Sequence, residues 1–336
     1  MDIIELAGVH AEGEIGRVLI KGAPAIPGHN LREKMDYLNH VDDSLIRRCL
    51  FEPRGSANMT VNLLLAPVDA SADIAFIPLQ PDGAHALSGS NCICVATAAL
   101  EMGTIVMHEP LTTVVIETPA GRVEARAECR AGKCERVTVK MAPSFVEHLD
   151  HPLEVPGLGQ LNVDVAYGGC FFVLVEAEQL GVRLVKQAAR RLVELAAVIK
   201  QAAREQIHLA QRPEMGTCKI EYVMFTDNED GKRLNCNIIH PGRVDRSPCG
   251  TGSGARLATL HRRGLVALNQ PVTFHSLIGS TFECRIVEEA EPLSGNITHE
   301  ISGRAWLYSH EKYWADTTDP YASGYVLSDT WGPDAD

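Results

Sequence analysis

Short apolar segments separated by turn residues cover most of the chain. Residues 72–77 (ADIAFI), bounded by Asp73 and Pro78, and residues 61–65 (VNLLL) are both strand-like. Residues 31–41 look helical. Residues 184–210 have apolar positions spaced at three and four, which predicts the longest helix. The pattern predicts many strands and few helices.

One segment, residues 88–103 (SGSNCICVATAALEMG), is apolar on nearly every helical face. It has no Gly or Pro from Asn91 to Met102, and Gly103 suits a helix C-terminus. We predict a buried central helix here. Residues 163–176, which contain GGCFFVLVEA, predict a buried strand. Strands alternating with only three or four helices predict an α+β fold.

Length and composition narrow the class of protein. The 336 residues leave room for two domains at roughly 150 residues each. The net charge of −12 and an aromatic content of 5% argue against nucleic-acid binding, which needs basic patches and stacking side chains. No apolar run approaches the ~20 residues that span a bilayer, and the start does not look like a signal peptide. With ten scattered cysteines, the chain is predicted to be a reduced, cytoplasmic protein that binds neither membranes nor nucleic acid.

A weak internal repeat links two segments that could carry chemistry. Placing Ser88 over Cys249, an offset of 161 residues, puts Gly89 on Gly250 and Gly103 on Gly264. Each segment then consists of a residue able to act as a nucleophile, a Gly, a small hydroxyl residue, about twelve helical residues and a second Gly. Such an offset, near half the chain length, is what a duplicated two-domain protein would show.

The start of each predicted helix is suited to binding an anion. The first turn of a helix leaves N–H groups without intrahelical partners, and the helix dipole favours negative charge there. Two such ends could hold one carboxylate, with Ser88 and Cys249 flanking the bound acid. A Cys at a helix N-terminus is expected to have a lowered pKa.

The motifs around this repeat resemble those of the proline racemase superfamily, which includes hydroxyproline epimerases and trans-3-hydroxy-L-proline dehydratases. The most specific are GRVDRSPCGTGSGA at 242–255 and LSGSNCICVAT at 87–97, which look like the second and first catalytic loops of the family. Three further segments resemble the family: EPRGSANM (52–59), YGGCFFVLV (167–175) and HSLIGSTFECRI (275–286).

The first loop departs from the racemase pattern. The racemases and many epimerases of the family have a Cys and, after a Gly, a His, where this chain has Ser88 and Ser90. The chain also has RGSANM where the family often has RGHADM. It therefore looks like a Ser/Cys member, a type associated with 3-hydroxyproline dehydration, 4-hydroxyproline epimerisation or both.

The resemblance implies a fold of two similar lobes. Each would be a curved β-sheet wrapped around a central α-helix, as in diaminopimelate epimerase, with the active site between the lobes. The N-terminal lobe would be residues 1–127, with a segment of about 315–336 returning to it, and the C-terminal lobe would be residues 128–314.

The family chemistry removes a proton alpha to a carboxylate without a metal or organic cofactor, and helix-end N–H groups would stabilise the carbanion. We assign Cys249 as the base. Ser88 would bind a leaving hydroxyl or, in an epimerase, handle the proton on the opposite face. Asp245 resembles the residue that binds the substrate ammonium group. Contacts to the carboxylate would come from Gly89, Ser90, Gly250 and Thr251.

We predict a trans-3-hydroxy-L-proline dehydratase producing 1-pyrroline-2-carboxylate, because dehydration needs only one strong base. The alternative is a 4-hydroxyproline 2-epimerase converting trans-4-hydroxy-L-proline to cis-4-hydroxy-D-proline, and one protein can do both. A non-catalytic protein that binds proline-like amino acids is a third possibility. A diaminopimelate epimerase is a further alternative with the same fold, but that enzyme is also expected to need two cysteines. A homodimer is common in this family.

Three other signals are set aside. Gly250, Gly252 and Ala255 fit a dinucleotide fingerprint, but a preceding strand and a ribose-binding acid are missing. Cys92 and Cys94, and the acidic and histidine cluster at 147–151, lack metal-site spacing. The cysteines are predicted to be buried in the helix and the cluster to be a solvated linker, so we predict no metal.

Overall fold

A computed structural model, which describes residues 2–141, 143–210, 212, 218–316 and 318–332, divides into two units. Unit 1 is Met1–Val139 with Ser302–Asp336, and unit 2 is Lys140–Ile301. The first segment of unit 1 therefore ends at Val139, whereas the predicted lobe ends at residue 127. Its second segment begins at Ser302, whereas the predicted returning segment begins at about residue 315. The mixed helices and strands confirm the predicted α+β class.

Unit 1 contains one sheet and a helix that it surrounds. Its strands are β1 (Asp2–Ala11), β2 (Glu14–Ile15), β3 (Arg17–Lys21), β4 (Val61–Leu65), β5 (Ile74–Gln80), β6 (Gly83–Ala84), β7 (Leu111–Thr118), β8 (Gly121–Arg130), β9 (Lys133–Lys140) and β19 (Ala305–Ala315). Its helices are α1 (Leu31–His40), α2 (Ser44–Leu50), α3 (Gly89–Glu101) and α6 (Ser328–Trp331). The sheet runs in the order β19, β1, β3, β4, β5, β7, β8, β9.

Unit 2 repeats this plan. Its strands are β10 (Phe145–Val155), β11 (Gly159–Tyr167), β12 (Phe171–Glu176), β13 (Ile220–Glu229), β14 (Lys232–Ile239), β15 (Arg243–Val244), β16 (Pro271–His275), β17 (Thr281–Glu289) and β18 (Ile297–Gly303). Its α-helices are α4 (Ala189–Gln206) and α5 (Gly250–Arg262). The strands β10, β11, β12, β13, β14, β16 and β17 pair in that order.

The strand directions show that the chain is duplicated. In unit 1, β3 and β4 pair in parallel, β4 and β5 antiparallel, and β5 and β7 in parallel. In unit 2, β12, β13, β14 and β16 have the same three relationships in the same order. Helix α3 follows the β5–β6 hairpin, and α5 follows the β14–β15 hairpin. Both helices have 13 residues, and their bounds differ by the offset of the sequence repeat.

The two equivalent helices form the centres of their units. Every residue of α3 from Gly89 to Leu100 is buried, which confirms the predicted central helix. Strands β1, β3, β8 and β19 all contact α3, so the sheet curves around it. Helix α5 is contacted in the same way by β10, β11, β12 and β17. Burial on all sides explains why neither segment has an amphipathic pattern.

Three local predictions are wrong. The helix predicted at 184–210 is shorter, because residues 186–188 form a 3-10 turn and Ile207 is already extended. The strand predicted at 163–176 is two strands, since the chain turns at Gly168 and Gly169. The cluster at 147–151 lies within strand β10 instead of a linker. In the described part of the chain, no helix is both long and apolar enough to cross a membrane.

Candidate active site

Cys249 is the N-cap residue of α5, and its thiol is surrounded by hydrogen-bond donors. The Gly252 N–H donates to Sγ at 3.3 Å, and the Asn237 Nδ2 donates at 3.4 Å. The Thr251 hydroxyl lies 3.7 Å from Sγ. A Cβ at position 252 would lie 2.1 Å from Met224 Cε and 3.1 Å from Cys249 Sγ, so a side chain there would crowd the thiol. These hydrogen bonds, taken alone, favour a negatively charged sulfur.

The loop before α5 is fixed by its own side chains. Ser247 donates to Asp245 Oδ1 through both its backbone N–H and its hydroxyl, each at 2.9 Å. The Cys249 N–H donates to Ser247 Oγ at 3.1 Å. Cys249 has φ 65° and ψ 114°, a left-handed backbone that a residue with a side chain adopts at a cost in energy. The loop therefore holds Cys249 against its own conformational preference.

The predicted lowering of the Cys249 pKa is wrong. Burial, the largest cause, raises the pKa of the thiol, and the Asp245 carboxylate raises it further. The hydrogen bonds from Gly252 and Thr251 act in the opposite direction but do not outweigh these effects. Cys249 is thus a neutral thiol at neutral pH, able to give a proton.

Ser88 occupies the equivalent position in unit 1. It is the N-cap residue of α3 but its side chain makes no capping hydrogen bond. Instead, Ser88 Oγ accepts from Asn91 Nδ2 at 2.8 Å and lies 3.4 Å from Ser90 Oγ. Asn62 Nδ2 in turn donates to Asn91 Oδ1 at 2.9 Å. These contacts orient Asn91 as a donor, so the hydroxyl proton of Ser88 points elsewhere.

The repeat places two different donors at the same position. Asn91 corresponds to Gly252 at the offset of 161 residues. In unit 2 the backbone N–H of Gly252 reaches the thiol, whereas in unit 1 the side chain of Asn91 reaches the hydroxyl. In both units, therefore, the side chain of the N-cap residue accepts a hydrogen bond from the residue three positions later in the chain.

The structure places the predicted residues in two groups. Ser88, Gly89 and Ser90 form the start of α3, and Asp245, Cys249, Gly250 and Thr251 form the loop and start of α5. Sequence reasoning missed four residues that contact or position them: Asn62, Asn91, Asn237 and Ser247. Asn91 and Ser247 lie inside the quoted motifs and could have been examined there. Asn62 and Asn237 lie on strands distant in sequence, and spacing gives no signal for them.

No metal-binding arrangement is seen among the described residues, where no group of three or more His, Cys, Asp or Glu side chains could hold an ion. Cys92 and Cys94 are fully or almost fully buried within α3, and burial raises the pKa of both thiols.

This is a duplicated α+β protein with a thiol and a hydroxyl at equivalent helix N-termini. A family model described as proline racemase matches residues 6–326. A 4-hydroxyproline 2-epimerase of Rhizobium etli is 44% identical over 337 residues, which cover 99% of this chain and 97% of that protein. A 4-hydroxyproline 2-epimerase of Agrobacterium fabrum is 40% identical over 337 residues, 99% of this chain and 97% of its own. The chain belongs to the proline racemase family.

Two solved structures at 43% and 44% identity support this family assignment. A hydroxyproline epimerase of Agrobacterium vitis with bound trans-4-hydroxy-L-proline matches with a TM-score of 0.94 and 43% identity, covering 100% of this chain and 98% of that one. A probable proline racemase of Agrobacterium radiobacter with bound carbonate matches with a TM-score of 0.93 and 44% identity, covering 99% of each. A protein of the PhzF family from Bacillus anthracis, 13% identical with a TM-score of 0.59, shares the fold.

The predicted dehydration of trans-3-hydroxy-L-proline is wrong. The relatives that match over nearly the whole chain are named as 4-hydroxyproline 2-epimerases, and one solved relative holds trans-4-hydroxy-L-proline. These findings favour an isomerase over a lyase.

Proposed function

We propose that this protein is a 4-hydroxyproline 2-epimerase, which interconverts trans-4-hydroxy-L-proline and cis-4-hydroxy-D-proline. The observation that carries the proposal is the pair of equivalent helix N-termini, each with a proton-carrying atom that accepts hydrogen bonds. Epimerisation needs one group for each face of the α-carbon. The names of the full-length relatives supply the substrate.

The α-proton is a very weak acid, so the carbanion must be stabilised as it forms. We propose that the first turns of α3 and α5 direct N–H groups at the substrate carboxylate through Gly89, Ser90, Gly250 and Thr251. The positive ends of both helices would favour the enediolate, in which a second negative charge develops on the carboxylate.

Asp245 would bind the ring ammonium group and, by doing so, change Cys249. The Asp245 carboxylate raises the pKa of the thiol. An ammonium group at Asp245 would neutralise that charge, so the thiolate would become accessible when substrate is bound. Cys249 would then exchange a proton with one face of the α-carbon.

Ser88 would serve the opposite face. Its hydroxyl is a far weaker acid than a thiol and has no neighbouring base among the contacts described for it. We therefore propose that Ser88 exchanges the proton through a bound water. One group removes a proton from the α-carbon, the other returns one to the opposite face, and solvent restores both groups, so no atom is gained or lost.

Incubation with trans-4-hydroxy-L-proline in deuterated water, followed by NMR, tests the proposal. We expect α-deuteration together with inversion to the D epimer, and no loss of the ring hydroxyl. Cys249→Ala should abolish both signals. Absence of α-deuteration in the unmodified protein would refute the proposed function.

A further inference from the structure

Strand β14 places an asparagine directly against the candidate catalytic thiol. Asn237 Nδ2 donates to Cys249 Sγ at 3.4 Å. Asn237 is 1% exposed and Cys249 is 6% exposed, so water does not compete for this contact. The backbone oxygen of Asn237 also accepts from the Asp245 N–H at 2.8 Å. One residue thus contacts both the thiol and the residue proposed to bind the ammonium group.

A second asparagine on the same face of β14 shows what a purely structural role looks like. Asn235, two residues earlier, uses both ends of its amide. Its Nδ2 donates to the Pro248 oxygen and to Ser253 Oγ at 3.0 and 3.1 Å. Its Oδ1 accepts from Arg256 at 2.7 Å. This side chain is fully occupied in fixing the loop and the helix.

Asn237 differs because its acceptor is unused. Its Oδ1 is buried, and within the described residues no donor reaches it. A buried amide oxygen without a donor costs free energy, so such a group in a catalytic region points to a ligand that supplies the missing hydrogen bond. A cyclic amino acid carries a suitable donor, the ring NH₂⁺ group.

We propose that Asn237 is a catalytic residue that stabilises the Cys249 thiolate through Nδ2 and accepts a hydrogen bond from the substrate ring ammonium through Oδ1. This inference rests on the proposed function for the identity of the substrate. Asn237 would connect the base to the charge that activates it, since the amide is polarised by both contacts at once.

The hydrogen bond from Asn237 favours the charged form of the thiol, in the same sense as the one from Gly252. Both oppose the effects of burial and of Asp245, which is the charged side chain that acts on Cys249. Removal of the Asn237 donor should therefore raise the pH at which Cys249 becomes a thiolate. Removal of its acceptor should weaken substrate binding, so kcat and KM should both change.

Asn237→Leu tests this, because it retains volume while removing donor and acceptor. We expect the limb of the kcat profile that rises with pH to move up by about one unit, which corresponds to about a tenfold loss of kcat at neutral pH. KM should rise several-fold. Asn237→Ser keeps a small hydrogen-bond donor, so the rising limb of its kcat profile should shift less than that of Asn237→Leu. It also provides a second measurement if the leucine variant folds poorly.

Asn235→Ser is the matched control on the same strand. It should lower the melting temperature while leaving the pH limb in place. The inference would be overturned if both Asn237 variants kept the KM of the unmodified protein and the rising limb of their kcat profiles stayed at the same pH. Iodoacetamide labelling of the Cys249 peptide at several pH values separates this outcome from failure of the function. If the unmodified protein exchanges no α-proton, the labelling profile still reports whether Asn237 affects the thiol.

Discussion

Asp245 lies close enough to Cys249 for its carboxylate to control the thiol. Because the negative charge raises the pKa of Cys249, Asp245→Asn should lower that pKa and increase the thiolate fraction at neutral pH. Alkylation of Cys249 by iodoacetamide should then be faster, by about tenfold for each pKa unit. Epimerisation should nevertheless fall, with a raised KM, since the ammonium group loses its partner.

Mass spectrometry of the Cys249 peptide measures the alkylation rate. Asp36→Asn, an exposed position on α1, serves as the control and should leave the rate unchanged. Slower alkylation in the Asp245 variant would contradict the role given to this carboxylate.

Asn91 is expected to act only through Ser88. Asn91→Ala removes the donor to Ser88 Oγ, so proton exchange on that face should fall by roughly 100-fold, the lower end of the range for one lost transition-state hydrogen bond. The test is a double-mutant cycle with Ser88→Ala, measured as α-deuterium exchange. The double variant should be no slower than Ser88→Ala alone. Additive losses would show that Asn91 has a separate role.

Motif reasoning named the N-cap residues and Asp245 but not their environment. The sign of the Cys249 pKa shift was wrong because burial and a carboxylate four residues away outweigh the helix end. Burial depends on the whole unit and has no local signature. The choice between dehydration and epimerisation was also wrong, because the loop motifs are compatible with both reactions.

At the scale of helices and strands, the internal repeat predicted element positions better than the apolar pattern of any single segment did. The equivalent starts of α3 and α5 were predicted from a few aligned residues, and the structure confirms them. The break between β11 and β12 was missed because Gly168 and Gly169 lie inside an apolar run. Their function is tertiary: a Cβ on Gly168 would lie 2.0 Å from the Thr251 oxygen.

Because of this close approach, a substitution at Gly168 tests whether the position of the first turn of α5 matters for activity. Gly168→Ala should displace the first turn of α5, lower the melting temperature and reduce epimerisation at least tenfold, since a small misplacement of reacting groups is costly. Gly157→Ala is the control, at a turn with φ 78° and open space around it. It should cost about 1 kcal/mol of stability and leave turnover intact. Equal effects on turnover would argue against a specific role for Gly168.

At the scale of the whole molecule, a buried histidine should make stability depend on pH. His299 packs against α5 where Gly254 leaves room, and burial lowers its pKa to about 4. The unfolded chain takes up this proton near pH 6.5 but the folded chain does not. The free energy of unfolding should therefore decrease as pH falls from about 6.5 to 4, by up to about 3 kcal/mol.

Urea midpoints at pH 7.5 and 4.5 measure this effect. His299→Gln should be less stable at pH 7.5 but should lose less stability on acidification than the unmodified protein. An unchanged difference between the two pH values would show that other groups control acid stability.

The pairing of β1 with β19 has a consequence for how the chain is made. Unit 2 is one continuous stretch, whereas unit 1 needs segments from both sides of it. During translation β1 emerges early, but its neighbour β19 emerges only after all of unit 2. Unit 2 can therefore fold on the ribosome while unit 1 still exposes the edge of β1. An unpaired strand edge can pair with another chain, so we expect a nascent chain stalled before β19 to be prone to aggregation through β1.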